Sequence, residues 1–226
     1  GNGHGSFAYA PPSGFLALCS QNLPDVDIID GTENFNTVLY TGNAGSNHAI
    51  SGVGFSPDWL WIKNRADTYS HMIYDTVRGA GKYISSDVTN AEATGSHMNS
   101  FDSDGFTVSA ASSNRTNAAQ TYVAWNWLAG TAFSNDASAT SVGTIDSSGQ
   151  VNTTAGFSII SWTGIGSAGT VAHGLGATPT AIIIKNRDQG DKWIVYHQGQ
   201  NASPATGYLS LNETSAFGTS TSVFNN

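Results

Sequence analysis

Apolar residues in this chain come in short runs, and nearly every run ends in Gly, Asn, Asp, Ser or Pro. Thr121-Tyr122-Val123-Ala124-Trp125-Asn126-Trp127 alternates strictly. Tyr122, Ala124 and Asn126 fall on one face and Val123, Trp125 and Trp127 on the other, the period of a strand. Pro57-Asp58-Trp59-Leu60-Trp61-Ile62-Lys63-Asn64-Arg65 is a proline-led, mostly apolar run closed by a polar triplet. It is too short for a helix and suits a buried strand. Further strands are predicted over 7–9, 15–19, 35–40, 71–75 and 82–85. A strand–turn–strand is predicted over 101–108, turning at Asp102-Ser103-Asp104-Gly105. Thr41-Gly42-Asn43-Ala44-Gly45 and Gly79-Ala80-Gly81 supply turns, and Pro11-Pro12 marks an edge or corner. Some seven short strands between turns point to a β-sandwich.

The proline-led run recurs as Pro179-Thr180-Ala181-Ile182-Ile183-Ile184-Lys185-Asn186-Arg187, 122 residues later. The same offset relates Phe35 to Phe157, Thr41-Gly42 to Thr163-Gly164, Gly52 to Gly174, Gly54 to Gly176 and Tyr74 to Tyr196. A gapless set of matches at one period is the mark of a tandem duplication. The chain is therefore expected to be all-β, with tandem antiparallel, jelly-roll-like β-sandwich repeats. Residues 1–30 read as N-terminal strands and a connector, 31–130 as the first repeat, 131–155 as a Gly/Ser/Thr-rich linker or loosely paired excursion, and 156–226 as a second repeat. Strands in that repeat are expected over 157–162, 181–185, 193–196 and 208–211. Nothing in it matches the Tyr122–Trp127 alternation, so an exposed edge is expected there. Either a longer polypeptide or a neighbouring subunit would supply the missing strand.

Composition narrows the partners. Charged residues make up 11% of the chain and the formal net charge is −8. Eight Lys and Arg residues are too few and too scattered to form a phosphate-tracking stripe, so no nucleic-acid partner is expected, and anionic membranes should repel the chain. No apolar run approaches the length of a membrane span. Cys19 is the sole cysteine, which leaves no intrachain disulfide and reads as a small buried hydrophobe.

Candidate chemistry is sparse. Gly164-Ile165-Gly166-Ser167-Ala168-Gly169 fits a dinucleotide fingerprint, but the breakers that follow deny it the helix whose N-terminus would hold the pyrophosphate. Asp102-Ser103-Asp104-Gly105 starts like a calcium loop without the bidentate Glu that closes one, and its aspartates are expected to cap their own turn. His4, His48, His71, His97, His173 and His197 lack metal-ligand spacing. His48 and His173 are placed in turns. Asp25, Asp27 and Asp30 read as solvated connector charges. No catalytic constellation and no cofactor site emerges, and an enzyme is not expected. The sharpest repeated polar feature is the pair of triplets Lys63, Asn64, Arg65 and Lys185, Asn186, Arg187. They are candidate ligand-binding residues for an anionic sugar. The competing reading is structural: they fix the turn after the central strand, with Asp67 and Asp188 pairing the arginines. Trp59, Trp61, Trp125, Trp127, Trp162 and Trp193 suit packing first and carbohydrate stacking second.

Gly52-Val53-Gly54-Phe55-Ser56-Pro57-Asp58, Trp61-Ile62-Lys63-Asn64-Arg65, Asp75-Thr76-Val77-Arg78-Gly79-Ala80, Ser100-Phe101-Asp102-Ser103-Asp104-Gly105-Phe106 and Tyr122-Val123-Ala124-Trp125-Asn126-Trp127 together resemble a repeat domain of unknown function. That repeat is found in large virion proteins of marine and freshwater tailed bacteriophages. Residues 156–196 look like a second copy. Phe7-Ala8-Tyr9 with Pro11-Pro12-Ser13-Gly14-Phe15 is similar to the end of a SPRY-like sandwich. The resemblance implies a structural and adhesive virion component, most of all a tail fibre or other surface appendage engaged in host attachment. A capsid decoration protein, a carbohydrate-binding module and a polysaccharide depolymerase are the rival readings. The implied location is the virion. The implied partners are other virion proteins, further copies of the chain and a host surface glycan.

Overall fold

The computed structural model describes residues 30–45, 47–109, 114–220 and 222–224. The expected strands over 7–9 and 15–19, the SPRY-like segment, Cys19 and His4 lie outside the described residues.

Among the described residues the first half contains nine strands: β1 (Phe35–Thr41), β2 (His48–Ser51), β3 (Trp59–Asn64), β4 (Met72–Asp75), β5 (Lys82–Ser85), β6 (Ala93–Thr94), β7 (Met98–Asp102), β8 (Gly105–Val108) and β9 (Thr121–Trp127). They make a six-stranded sheet in the order β1-β9-β3-β4-β5-β6 and a three-stranded sheet in the order β2-β8-β7. All the pairings are antiparallel. The two sheets close on one core. Leu60, Ile62, Met72, Tyr74, Tyr122 and Ala124 from the larger meet Ile50, Met98, Phe106 and Val108 from the smaller. Each fully buried aliphatic there contributes about 1.5–3 kcal/mol. The chain is all-β, as its sequence pattern indicates.

In β9 it is the Tyr122, Ala124 and Asn126 face that turns inward, and the tryptophans line the outer face of the sheet. A buried amide is tolerable only with partners. Asn126 finds them for its Nδ2, which donates to the carbonyls of Asn36 (3.0 Å) and Ala124 (3.1 Å), while its buried Oδ1 has no hydrogen-bond partner among the described residues. Outside, Trp59 packs on Trp127 and Trp61 on Trp125 across the β3–β9 pair, with ring centroids 4.5 and 5.9 Å apart.

Strands β2 and β6 were not legible in the sequence. Each is short, and β2 has Ile50 as its one large apolar residue. His48 therefore sits in a strand and not in a turn, with Nδ1 3.1 Å from Asn117 Oδ1. The aspartates of the β7–β8 hairpin also act differently from expectation. Asp102 accepts from Ser100 two residues back on its own strand and from Thr107 across the β7–β8 pair. Asp104 reaches away from its own turn to accept from the amides of Gly52 (3.1 Å) and Gly54 (2.7 Å). Those amide bonds hold the Asp104 carboxyl below its ordinary range. Gly105 is dictated by crowding, because a Cβ there would stand 1.9 Å from the carbonyl oxygen of Ile50.

The segment 131–155, expected as a linker or a loosely paired excursion, forms β10 (Thr131–Asn135), the short helix α1 (Ala137–Thr140) and β11 (Ser147–Asn152). Its Ser and Thr residues suit a strand pair as well as a loop, and Asp136 starts the helix by accepting from Ser138 N and Ala139 N. β11 then pairs with β12 (Phe157–Trp162), giving a sheet in the order β10-β11-β12. A four-stranded sheet follows, β13 (Ala181–Ile184), β14 (Ile194–His197), β15 (Gly207–Ser210) and β16 (Gly218–Thr219), in sequence order.

The duplication is visible in three dimensions. β12 stands for β1, and β13-β14-β15-β16 repeats the order β3-β4-β5-β6. Gly52 and Gly54 have φ of 89° and 91°, and their counterparts Gly174 and Gly176 have 75° and 72°. Beyond Tyr196 the offset grows from 122 to 125, so that Tyr83-Ile84-Ser85 matches Tyr208-Leu209-Ser210. Among the described residues the second copy has no counterpart of the β2-β8-β7 sheet and none of β9. Ile182 and Ile184 are consequently half-buried where Leu60 and Ile62 are fully buried.

Candidate functional site

The second copy lies against the outer face of the first. Trp193 is 6% exposed and packs with Ile73, Ile84, Trp59 and Trp61, donating from Nε1 to the carbonyl of Ser85 at 2.9 Å. Phe157 stacks near Trp127, centroids 6.1 Å apart. Polar contacts fasten the margin. Asn152 Nδ2 donates to Asn34 Oδ1 (2.7 Å), Thr76 bonds Gln150, and Glu92 N donates to the carbonyl of Arg187 (2.8 Å).

The triplets divide into two parts with different roles. The lysines behave alike: Lys63 Nζ donates to the carbonyls of Asn64 (2.5 Å) and Asp67 (2.8 Å), Lys185 Nζ to those of Asn186 (2.7 Å) and Gln189 (3.0 Å). The asparagines accept from the turn that follows, Asn64 from Ala66 N and Asp67 N, Asn186 from Asp188 N. These contacts shape a turn. Asn64 is fully buried and also donates to Asn114 O and Gln120 Oε1, whereas Asn186 is solvent-accessible and donates to Asp191.

The arginines diverge. Arg65 is exposed, and Asp67, its expected partner, accepts from Gln120. Arg187 pairs with Glu92 of the first copy, not with Asp188: Nε to Oε2 at 2.8 Å and Nη2 to Oε1 at 3.0 Å, a two-point bond of the stronger kind. Glu92 also lies 3.4 Å from Arg78 and 3.5 Å from Lys82. Arg78 is in turn held by Asp75, Nε to Oδ2 at 2.5 Å. Burial by itself would raise the Glu92 carboxyl, but the hydrogen bonds and charges of Arg187 and Arg78 outweigh it and hold the group below its ordinary value.

Between the two copies is a slot enclosing about 130 Å³. Ile160 and Trp162 of β12 line it together with Ile183, Lys185, Trp193 and, from the first copy, Arg78. Arg187 spans it, donating from Nη1 to Ser161 Oγ at 3.0 Å. Partial burial draws the Lys185 ammonium below its ordinary value. The structure thus gathers Lys185 and Arg187 and leaves Lys63, Asn64 and Arg65 elsewhere. A second, wider groove of about 310 Å³ is polar, with Asn135, Asp136, Asp146, Ser147 and Ser148 beside Trp162. Trp162 is 38% exposed.

Arg78 and Glu92 were not singled out from sequence, and Trp193 was read only as one of six tryptophans suited to packing. The available signal for Trp193 was a break in the repeat, since the residue at that offset in the first copy is His71. No helix follows Gly164–Gly169, as the breakers there imply. Among the described residues, no group of three His, Cys, Asp or Glu side chains is placed to hold a metal ion, and no helix is long and apolar enough to cross a membrane.

A family model described as a domain of unknown function (DUF7483) matches residues 30–226, a span that takes in both copies. No curated protein and no solved structure matches the chain.

Proposed function

We propose, for a chain that belongs to the DUF7483 family of domains of unknown function, a structural and adhesive role in a bacteriophage virion, as part of a tail fibre or other surface appendage. The observation that carries this reading is the way one copy of the module seats on the next through Trp193 and the Arg187–Glu92 pair. Modules that bury a face against a neighbour build extended arrays, the architecture of appendages. The resemblance of the first copy to a repeat of phage virion proteins points the same way. The role is non-catalytic, and in support of this Asp75 and Glu92, the carboxylates nearest the slot, are engaged by Arg78, Lys82 and Arg187. Immunogold labelling of intact particles tests the proposal. Label on the tail or its appendages is the expected result, label on the head converts the reading to capsid decoration, and particles without label remove it.

One observation favours glycan binding as a second reading. Trp162 edges the polar groove, and a half-exposed indole beside carboxylates and hydroxyls is the chemistry of sugar stacking. Binding on a glycan array that Trp162→Ala abolishes would support it, and silence across the array would dismiss it.

A further inference from the structure

The outward face of the six-stranded sheet is covered on one side only. Its outward positions make a grid: Phe35, Trp127 and Trp59 in one row, Thr37, Trp125 and Trp61 in the next, and Leu39, Val123 and Lys63 in the third. Trp193 of the second copy packs on Trp59, Trp61, Ile73 and Ile84, and Phe157 lies 6.0 and 6.1 Å from Trp59 and Trp127. On the other side Thr37 and Leu39 of β1 are exposed, Leu39 at 63%, while Val123 and Trp125 of β9 are half-buried.

The uncovered strip is free of charge. Lys63, the one charged residue of the grid, borders it and spends its ammonium on the carbonyls of Asn64 and Asp67. In a chain of net charge −8, such a strip is where two copies approach with least repulsion. The edge of β1 is less open than its face. Bonds from Gly42 N to Gln120 O and from Leu128 N to Asn34 O, both 2.9 Å, turn the even-numbered residues of β1 toward β9, so the odd-numbered ones present their amides at the edge. Asn36 Oδ1 accepts from the Thr37 amide at 2.8 Å and closes the middle of that edge to a further strand.

The neighbouring contact shows what this kind of surface fits. At the 122-residue offset, Phe157 and Trp193 take the places of Phe35 and His71. Both of those are outward positions: Phe35 lies on Trp127 at 4.6 Å, and the His71 ring is 6.4 Å from that of Trp61. The contact between the copies is therefore outward face on outward face, a module packed against the like surface of its own kind.

We propose that the Leu39–Val123–Trp125 strip is a self-association surface that continues this contact, occupied by the same strip of a second copy of the chain. A dyad parallel to the strands, midway between β1 and β9, sets Leu39 of each chain on Val123 of the other and Thr37 on Trp125. It carries the two second copies to opposite flanks, each beside the β1 edge of the other chain. Two strands a side make a small interface, so the pair forms reversibly and with concentration.

Sedimentation velocity of the whole chain, from micromolar to millimolar concentration, tests this. A reversible monomer–dimer equilibrium is expected. Leu39→Lys, at an exposed strand position, should keep the circular dichroism of the parent and weaken association at least tenfold, because the dyad makes the substitution count twice. It also brings the net charge nearer zero, so general repulsion cannot account for the loss. Leu39→Met should retain the dimer, and so should Ile183→Lys, an exposed apolar site on the second copy. A chain monomeric throughout would overturn the proposal, whether residues 1–29 of the same chain or nothing covers the strip. So would association that Leu39→Lys leaves intact, or that Ile183→Lys abolishes, since another surface would then be responsible. The readout is taken in solution and does not depend on where the chain sits in a particle, so this proposal and the virion reading fail separately.

Discussion

Truncating Trp193 tests whether the two copies are one cooperative body. The side chain is 6% exposed among Ile73, Ile84, Trp59 and Trp61, and removing a buried indole costs about 3–5 kcal/mol. Trp193→Ala also takes the Nε1 donor from the Ser85 carbonyl, 2.9 Å away. A buried acceptor left alone costs about 1–3 kcal/mol. The two losses overlap, because the cavity that forms admits water to the carbonyl, so the sum stays near 4–5 kcal/mol. Trp193→Phe keeps most of the apolar contact and loses the bond alone, at about 1–3 kcal/mol. Against a typical total of about 5–15 kcal/mol, the alanine variant should lose the docking of the second copy, whose own isoleucines are half-exposed. Urea unfolding followed by tryptophan fluorescence and by far-UV circular dichroism checks this. Coincident transitions are expected for the parent chain and separated ones for Trp193→Ala. A single transition displaced by less than about 1 kcal/mol would refute the packing argument.

Three further outcomes follow from the same geometry. The Glu92 carboxyl titrates below its ordinary value of 4.5, so it binds fewer protons folded than unfolded at moderately acid pH. Its contribution is complete above that value and is lost as pH falls through the lower folded value. Glu92→Gln should therefore flatten the stability–pH curve below pH 4.5, read by thermal melts across that range. Asn64→Ala should cost about 2–4 kcal/mol, as a buried network loses both its donors and its acceptor. Asn186→Ala, at an accessible turn, should cost under about 1 kcal/mol, and equal losses by denaturant titration would undo the distinction. Gly54 has φ of 91° with open space around its Cβ position. Gly54→Ala should thus lose about 1–2 kcal/mol through backbone strain alone, measured the same way.

Much of the fold was legible because side-chain alternation is a local property. β9, β3 and the repeat of β3 announce themselves by period and by punctuation. What the sequence hid is what depends on distant partners. β2 and β6 are strands because a neighbour offers an edge, not because their own residues insist on one. The Ser/Thr-rich stretch over 131–155 looks like any flexible connector until β12 is available to pair with β11. The triplets show the same limit at the candidate site. Lys185 and Asn186 do what Lys63 and Asn64 do, since a turn is local. Arg187 differs from Arg65 only because Glu92 stands across the boundary between copies, and no spacing along the chain encodes that.

The tryptophans on the outside of the six-stranded sheet impose a timetable on synthesis. Trp193, which covers Trp59 and Trp61, follows Trp127 by 66 residues. At translation rates of about 5–20 residues per second, a nascent first sandwich would wait roughly 3–13 s with its indole wall uncovered. Growth from the ribosome thus has a vulnerable interval built into it, and a stall between those two tryptophans would leave that wall open to the aromatic surfaces of neighbouring nascent chains.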